Sequence, residues 1–510
     1  MRTRIIVILS SFALIAVAVF AHFATWEIAE RNEYENRVLQ HKTSQQLSDL
    51  SADDQAAASS LNTDPATFAT HLPIISIDTG GQKIPGGPMY DADGHRIADA
   101  NNILVPEPAE DGSDRIKATL KSYNSQEHAN RLSDKPELTS ECLIRIRGNS
   151  SRSFDKHNFH VTLINNDGTD NNQPLLGMDE SETWVLHGPA VDKTLMRNYI
   201  AYNTAGQYMS EYVPNVRFLE LYINNEYQGV YLAVQTIKME EGRVEINESD
   251  ENQAETSYIV ALDEAVASNT TISDFLLYTR RSINYLDIVY PTEANLTEAQ
   301  RQYIEQDVSD WEKALYSYDY DTAQYGYWTT LDVQSFVDLY ILNEFVINDD
   351  FGAYSTYLYK DIRGLVTLGP IWDYDNTFNN YHDETPPDEF YLVERPWYYM
   401  LFKDEEFCEL VIDRYRNLRQ GVLSDESLLT MIDEVKEYLG PAIQREANRW
   451  GAIESPEDTA LKPDSRNPKN HDEAIASMKS FITQRGAWLD RYIENLRQYS
   501  HESAVKKFNH

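Results

Sequence analysis

Two hydrophobic patterns follow one another along this chain of 510 residues, and their order predicts its architecture. From residue 72 to about residue 290 the apolar runs are short and strand-like, as in CLIRIRG, VRFLELYI and SYIVALD. After about residue 296 the pattern is mainly helical, as in DVQSFVDLYILNEFVI and LLTMIDEVKEYLGPAIQREANRW. A β-rich half followed by a helical half predicts an α+β fold with two lobes and a cleft between them.

The charge balance excludes one large class of partners. The chain carries 82 Asp and Glu residues against 44 Lys and Arg residues, which leaves a formal net charge of −38. Such a surface repels phosphate backbones, so we expect no nucleic-acid binding. Two cysteines, Cys142 and Cys408, are too few for a disulfide scaffold or a thiolate zinc site, and one disulfide between them stays open. Functional sites must therefore use oxygen ligands or a few basic residues.

The N-terminus predicts export. Residues 5–26 contain no Asp, Glu, Lys or Arg, and they follow Arg2 and Arg4. A helix of this length spans about 33 Å, which matches the hydrocarbon core of a bilayer. The arginines favour a cytoplasmic N-terminus. We expect an envelope or extracellular protein, either anchored in the membrane by residues 5–26 or secreted after cleavage of a signal peptide.

The remaining composition divides the chain into further regions. Residues 1–26 are the predicted signal peptide or anchor, and residues 27–71 are a predicted charged, low-complexity tether. Residues 72–292 form the β-rich lobe, residues 293–500 form the mainly helical lobe, and residues 501–510 are a tail.

An acidic hairpin is the most informative stretch. Residues 343–378 read NEFVINDDFGAYSTYLYKDIRGLVTLGPIWDYDNTF. A helix is expected to end near Asn348, followed by strands at 354–360 and 365–371 around a turn at 361–364. Residues that are equidistant from the turn of an antiparallel hairpin lie side by side.

This geometry predicts that two aspartates meet. The midpoint of Asp350 and Asp373 is 361.5, inside the predicted turn. Asp375, two residues further on, shares a face with Asp373 if the strand continues. Converging carboxylates repel each other, and a hard cation such as Mg²⁺ relieves that repulsion. The structural alternative is an Asp-rich loop that caps a helix and ends a strand.

A basic turn stands out in so acidic a chain. Residues 145–160 read RIRGNSSRSFDKHNFH, with one strand before the glycine and a second strand after it. Backbone N–H groups and basic side chains in such a turn can hold a phosphorylated ligand. The residues of this candidate phosphate site are Arg147, Gly148, Asn149, Ser150, Ser151, Arg152 and Lys156. The alternative is an ordinary β-turn with solvated charges.

A third group of charges lies at the start of a helix predicted near residues 192–210. It contains Asp192, Lys193 and Arg197. Arg197 is expected on an inward or half-buried face, paired with a carboxylate, and a purely structural ion pair is the alternative to a ligand-binding role.

Together these segments resemble the CotH family, the spore-coat-protein-H-like atypical protein kinases. The resemblance rests on IRIRGNSSRSFDKHNFHVTL, PLLGMDESETWVLHGPAVDKTLMRNYIAYN, RFLELYINNEYQGVYLAVQTIK and STYLYKD…LGPIWDYDNTF, in that order between about residues 72 and 496. It implies a divergent two-lobed protein-kinase-like fold. It also implies phosphorylation of Ser or Thr in proteins, with ATP and a divalent cation, Mg²⁺ or Mn²⁺, as cofactors.

The resemblance also implies roles for individual residues. Lys156 would orient the nucleotide phosphates beneath the glycine turn. Asp350 would orient the acceptor hydroxyl, and Asp373 would bind the metal, with Asn348 and Asp375 as further metal candidates. Phosphoryl transfer depends on positioning and charge neutralisation, which these residue types supply.

Two other functions stay open. Gln235 stands where related sequences often carry Glu, and Asn379 stands where Gly is common, which favours a non-catalytic surface or structural binding protein of the same family. A metal-dependent hydrolase that uses the aspartates is the third hypothesis. For the leading hypothesis, a protein kinase, we expect protein substrates of the envelope, surface or coat.

Overall fold

The computed structural model describes residues 37–99, 103–263, 270–272, 285–451 and 460–505. The predicted hydrophobic helix at residues 5–26 lies outside these ranges. No helix in the described ranges is long and apolar enough to cross a membrane.

Seven strands of the β-rich half close into a barrel, in the order β1-β2-β3-β4-β7-β9-β8. The strands of the described chain are β1 (Ile74–Asp78), β2 (Ile116–Tyr123), β3 (Leu138–Arg147), β4 (Asn158–Ile164), β5 (Gln173–Leu175), β6 (Met178–Ser181), β7 (Thr183–His187), β8 (Val216–Ile223), β9 (Glu226–Gln235), β10 (Tyr258–Asp263), β11 (Thr271–Ile272), β12 (Tyr285–Tyr290), β13 (Thr356–Lys360) and β14 (Val366–Leu368). Alternation in β3 buries Cys142, Ile144 and Ile146, so its arginines point outward, Arg147 among them. Cys142 and Cys408 are both buried free thiols.

A second sheet, β11-β12-β10-β13-β14, lies beside the barrel. Strand β10 pairs antiparallel with β13, and Tyr258 lies opposite Lys360. The sheet therefore joins strands from both sides of the predicted boundary between residues 292 and 293. The β-rich region does not end there as a separate packing unit.

The second half of the chain is mainly helical, as its periodicity predicts. The helices are α1 (Gln40–Thr43), α2 (Ala52–Ala58), α3 (Arg197–Ala205), α4 (Glu298–Tyr316), α5 (Val333–Val346), α6 (Tyr398–Leu401), α7 (Glu405–Arg419), α8 (Asp425–Leu439), α9 (Pro441–Trp450) and α10 (His471–Tyr492). Residues 335–346 of α5 are all buried, so α5 is a central helix rather than a surface one. Its buried Glu344 pairs with Arg485 of α10 at 2.5 Å. The mixed α+β order is thus confirmed.

The prediction of a tether at residues 27–71 is wrong for its described part, residues 37–71. Gln40 exchanges two hydrogen bonds with the backbone of Phe218 in β8, at 3.0 and 2.6 Å. The Arg37 guanidinium donates to the carbonyl of Val213 at 2.9 Å. The segment also buries a few isolated apolar residues, among them Leu50, Ala58 and Phe68. These do not form the regular apolar period that normally signals structure.

Removal of this segment is expected to destabilise the protein. A chain that starts at Leu72 removes acceptors from buried donors, including the Phe218 backbone N–H and the Arg445 guanidinium, which donates to the Ala58 carbonyl at 2.9 Å. Each unsatisfied buried group costs about 1–3 kcal/mol, so we expect a loss of about 3 kcal/mol or more in the free energy of unfolding. Urea denaturation against a chain that starts at Arg37 measures the loss. Equal urea midpoints for the two chains would contradict the conclusion that residues 37–71 stabilise the fold.

Candidate active site

A cavity of about 740 Å³ lies where the barrel, the second sheet and the loop after β14 meet. One wall is the basic turn after β3, and another carries the aspartates of the acidic hairpin. The lining residues that matter below are Arg147, Gly148, Asn149, Ser150, Ser151, Arg152, Asp263, Asp287, Asp350, Asp373, Asp375 and Asn376.

The hairpin forms, but its register is shifted from the predicted one. Strands β13 and β14 are antiparallel, with Leu358 opposite Leu368, so the turn is centred at residue 363, the midpoint of this pair, rather than at 361.5. Extension of this register places Asp350 beside Asn376. The Asn376 amide indeed donates to the Asp350 carboxylate at 3.3 Å. Asp373 faces the same cavity without being the register partner of Asp350.

Asp373 and Asp375 form an acidic pair. Asp373 is accessible to solvent through the cavity, and its backbone is left-handed, with φ of 65°. The surrounding protein raises the pKa of Asp373, while Arg147 and a hydrogen bond from Asp375 act in the opposite direction. Burial, and then the carboxylates of Asp373 and Asp192, raise the pKa of Asp375 well above its ordinary value. Two acidic groups in contact must share a proton or attract a cation.

The pKa of Asp350 is raised towards neutral pH. Burial raises the pKa of Asp350 to about 6, and the carboxylate of Asp373 adds to the shift, while the hydrogen bond from Asn376 opposes it. A carboxylate with such a pKa is matched to accepting a proton near pH 7.

The donor set fits a divalent cation through two carboxylates. Asp373 and Asp375 present hard oxygen ligands of the kind that Mg²⁺ and Mn²⁺ prefer. In the described ranges, one group brings three or more ligand atoms of His, Cys, Asp or Glu within 4.8 Å of one another. It is the exposed trio Asp91, Asp93 and His95. Asp350 therefore does not complete a three-carboxylate site with the pair, and it remains separate from the metal position.

The basic turn needs its glycine. Gly148 has φ of 106°, and a Cβ there would lie 1.9 Å from the Ser151 hydroxyl oxygen. The Arg152 guanidinium holds the turn by donating to the carbonyls of Gly86 at 3.2 Å, Asn149 at 3.3 Å and Gly148. The guanidinium carbon of Arg147 lies 5.3 Å from the centre of the Trp372 ring. The turn thus brings positive charge to the wall that faces Asp373.

Lys156 is not at this cavity, so the prediction that it faces the ligand is wrong. Its ammonium is buried, and it donates to Glu446 of α9 at 2.5 Å and to the Val230 carbonyl at 2.8 Å. Burial lowers the pKa of Lys156, and Glu446 opposes that shift. A buried ammonium needs a counter-charge, and α9 supplies one from a distant part of the chain.

Arg197 and Asn348 are also outside the cavity lining. Arg197 pairs with Asp192 and donates to the Thr377 carbonyl at 3.0 Å, so the ion-pair alternative describes it. The Asn348 amide donates to Asn343 at 3.0 Å, just after the end of α5. Asn348 is therefore not a metal ligand in this structure, because its side chain points back to the helix.

Sequence reasoning missed several polar residues of the cavity, among them Asn376, Asp263 and Asp287. Asn376 directly follows Asp375, and only the true register of the hairpin reveals it. Asp263 and Asp287 come from β10 and β12, where Ala261 lies opposite Asp287. Alternation then places both aspartates on one face, which no local pattern indicates.

The structure places both residues that depart from the pattern implied by the resemblance, Gln235 and Asn379, outside the cavity. Gln235 is fully buried, and its carbonyl oxygen accepts from the Asn215 amide at 2.9 Å and from the Tyr212 hydroxyl at 3.1 Å. Asn379 has φ of 59°, a left-handed conformation that glycine and asparagine tolerate. Neither residue lines the cavity among the described residues.

The raised pKa of Asp350 predicts that replacement of its carboxyl group stabilises the protein in a pH-dependent way. Its folded-state pKa of about 6 lies above the unfolded value, so the folded state binds more protons and loses stability as pH rises towards 6 and above. Asp350→Asn cannot ionise. We expect it to raise the free energy of unfolding by about 1–2 kcal/mol at pH 8 without metal, since the carboxyl is partly solvated, and to change little at pH 4.

Urea denaturation in EDTA at the two pH values tests this expectation. Asp383→Asn, at an exposed aspartate, is the matched control and should change the free energy of unfolding equally little at both values. A gain at pH 8 that is no larger than at pH 4 would contradict the assigned pKa.

Comparison with known proteins assigns the family. Residues 144–489 match the family model described as CotH kinase protein. This segment contains the basic turn, α3, the hairpin and the acidic pair. A search among curated proteins finds no match. Because the family model covers most of the chain, the protein belongs to the CotH kinase protein family.

Proposed function

We propose that this protein is an ATP- and divalent-metal-dependent protein kinase of the CotH type. It would phosphorylate Ser or Thr residues in envelope, surface or coat proteins. One observation carries the proposal. A single cavity has the acidic pair and Asp350, whose pKa is raised, on one wall and a glycine turn with guanidinium groups on another. The barrel and the helical half would correspond to the two lobes of a divergent kinase fold.

The basic turn would bind the nucleotide phosphates. Arg147 and Arg152 line the cavity, and the left-handed Gly148 allows the backbone to approach a ligand closely. In a chain of net charge −38, this local positive charge offsets the repulsion that ATP would meet. The phosphate contact therefore falls to the arginines and the turn rather than to Lys156.

The acidic wall would hold the metal and the acceptor. Asp373 and Asp375 would bind the cation, which supplies neutralisation of the phosphate charge when bound. Asp350 would orient the acceptor hydroxyl and take its proton, since its pKa of about 6 matches that task. Asn376 would keep the Asp350 carboxylate in position through the amide hydrogen bond.

Export through residues 1–26 belongs to the same proposal. Residues 5–26 would anchor the protein in the membrane or be removed with a signal peptide, and the cavity would then act outside the cytoplasm. That location matches substrates of the envelope, surface or coat.

A phosphate-transfer assay tests the function. The full chain, purified in detergent, is incubated with γ-labelled ATP and Mg²⁺ or Mn²⁺, with and without a casein-like acceptor. We expect metal-dependent label on Ser or Thr of the protein or the acceptor. Absence of label with every metal would overturn the kinase assignment.

A non-catalytic binding protein is the second candidate, and the position of Lys156 favours it. Its ammonium is committed to Glu446, so Lys156 does not orient a phosphate in the cavity as the family resemblance implies. This candidate predicts that ATP raises the melting temperature in the presence of Mn²⁺ while no phosphate is transferred. The same preparation separates the two functions.

A further inference from the structure

Helix α3 lies directly against the loop that carries the acidic pair. The Asn198 side-chain oxygen accepts from the Tyr374 backbone N–H at 2.7 Å. The Tyr202 hydroxyl oxygen accepts from the Asp373 backbone N–H at 3.1 Å. Because α3 follows the barrel strand β7, these bonds tie the acidic loop to the β-rich half, although Asn198 and Tyr374 are 176 residues apart in sequence.

Asn198 also connects the loop to His187. The Asn198 side-chain amide nitrogen lies 3.1 Å from His187 Nε2, and His187 Nε2 in turn lies 3.8 Å from the Asp375 carboxylate. Burial, and then Arg147 and Lys156, lower the pKa of His187 to about 3, so the ring is neutral. Asn198 is thus held by His187 through its side-chain nitrogen and bonds the loop through its side-chain oxygen.

The loop has a defined backbone geometry at Asp373, whose φ of 65° lies in the left-handed region that most residues with a side chain avoid. Asn198 and Tyr202 are 4% and 2% exposed, so their bonds to the loop are shielded from water. Bonds to two successive N–H groups, those of Asp373 and Tyr374, define the direction in which the Asp373 side chain leaves the backbone.

We propose that Asn198 and Tyr202 are positioning residues that set the affinity of the Asp373–Asp375 pair for a divalent cation. They do not touch the cation; they hold the backbone from which both carboxylates project. This inference rests on the proposed function only for the identity of the metal-binding pair. Loss of such supporting groups typically weakens metal binding about 10- to 100-fold.

Manganese binding without nucleotide tests the inference independently of phosphate transfer. The full chain in detergent is titrated with Mn²⁺, and the unbound ion is measured by electron paramagnetic resonance. All proteins carry Asp93→Asn, so that the exposed trio Asp91, Asp93 and His95 does not contribute. Tyr202→Phe is expected to raise the dissociation constant about 10-fold, and Asn198→Ala about 10- to 100-fold.

Tyr199→Phe is the matched control on the same helix. The Tyr199 hydroxyl is also buried and lies 2.9 Å from His41 Nδ1, away from the loop. We expect Tyr199→Phe and Tyr202→Phe to lower the melting temperature similarly, while only Tyr202→Phe weakens Mn²⁺ binding. A general loss of structure would instead raise the dissociation constant for Mn²⁺ in both variants.

The outcomes separate this inference from the proposed function. Weaker Mn²⁺ binding in Tyr202→Phe and Asn198→Ala, together with no phosphate transfer by the wild type, supports the positioning role and overturns the kinase assignment. Unchanged dissociation constants in both variants overturn the positioning role, whatever the transfer assay shows. Absence of Mn²⁺ binding by the parent protein also overturns it.

Discussion

Asp373→Asn is expected to lower metal-dependent phosphate transfer by a factor of about 100 to 1,000. The substitution keeps the shape of the side chain but removes one of the two charges that would hold the cation beside the phosphates. A loss of this size corresponds to about 3–4 kcal/mol of transition-state stabilisation. Initial rates with γ-labelled ATP over a range of Mn²⁺ concentrations measure it.

The stability of Asp373→Asn without metal separates an effect on catalysis from an effect on folding. Asp373→Asn also removes like-charge repulsion with Asp375, so its melting temperature in EDTA should equal or exceed that of the wild type. Asp93→Asn removes an exposed aspartate far along the sequence and should retain full activity. Transfer by Asp373→Asn within twofold of the wild type would rule out the assigned role of this carboxylate.

Arg445→Met is expected to lower the free energy of unfolding by about 3–5 kcal/mol. Arg445 of α9 and Glu220 of β8 are fully buried, and they form two hydrogen bonds at 2.8 and 2.6 Å. Arg445 also donates to the carbonyls of Ala58 and Ser60 at 2.9 and 3.0 Å. The substitution leaves the Glu220 charge buried without its partner, and it detaches residues 37–71 from α9.

Two further variants identify the cause. Arg449→Met lies one turn further along α9 at an exposed position, and it should cost less than about 1 kcal/mol. Glu220→Leu combined with Arg445→Met should recover part of the loss, since no unpaired buried charge then remains. The expectation fails if Arg445→Met and Arg449→Met have the same urea midpoint.

Local patterns predicted the elements that carry the site. The alternation of β3 and the glycine after it define the basic turn, and both depend on neighbouring residues only. The hairpin between Asp350 and Asp373 was likewise predicted, because strand-like runs flank a turn. Its predicted register was wrong, because the turn is centred at residue 363 rather than at 361.5. Strand pairing depends on the contacts of β13 with β10 as well as on the turn.

Partners that come from distant segments were not predictable in this way. Lys156 and Glu446 are 290 residues apart, and no sequence pattern links them. Residues 37–71 lack a regular apolar period, because many of their contacts are hydrogen bonds from polar side chains and their apolar contacts, such as that of Phe68 with Tyr222 of β8, are isolated. Asp263 and Asp287 reach the cavity only because β10 and β12 pair in one sheet.

Residues close along the chain are therefore sufficient to predict the α+β order, the basic turn and the acidic hairpin, and four motifs in order are sufficient for the resemblance to the CotH family. Which charges face the cavity depends instead on contacts between distant segments. Arg147, Asp350, Asp373 and Asp375 line it, while Lys156 and Arg197 are neutralised elsewhere. The physical reason is that a buried charge must be paired, and only the fold determines which distant element provides the counter-charge.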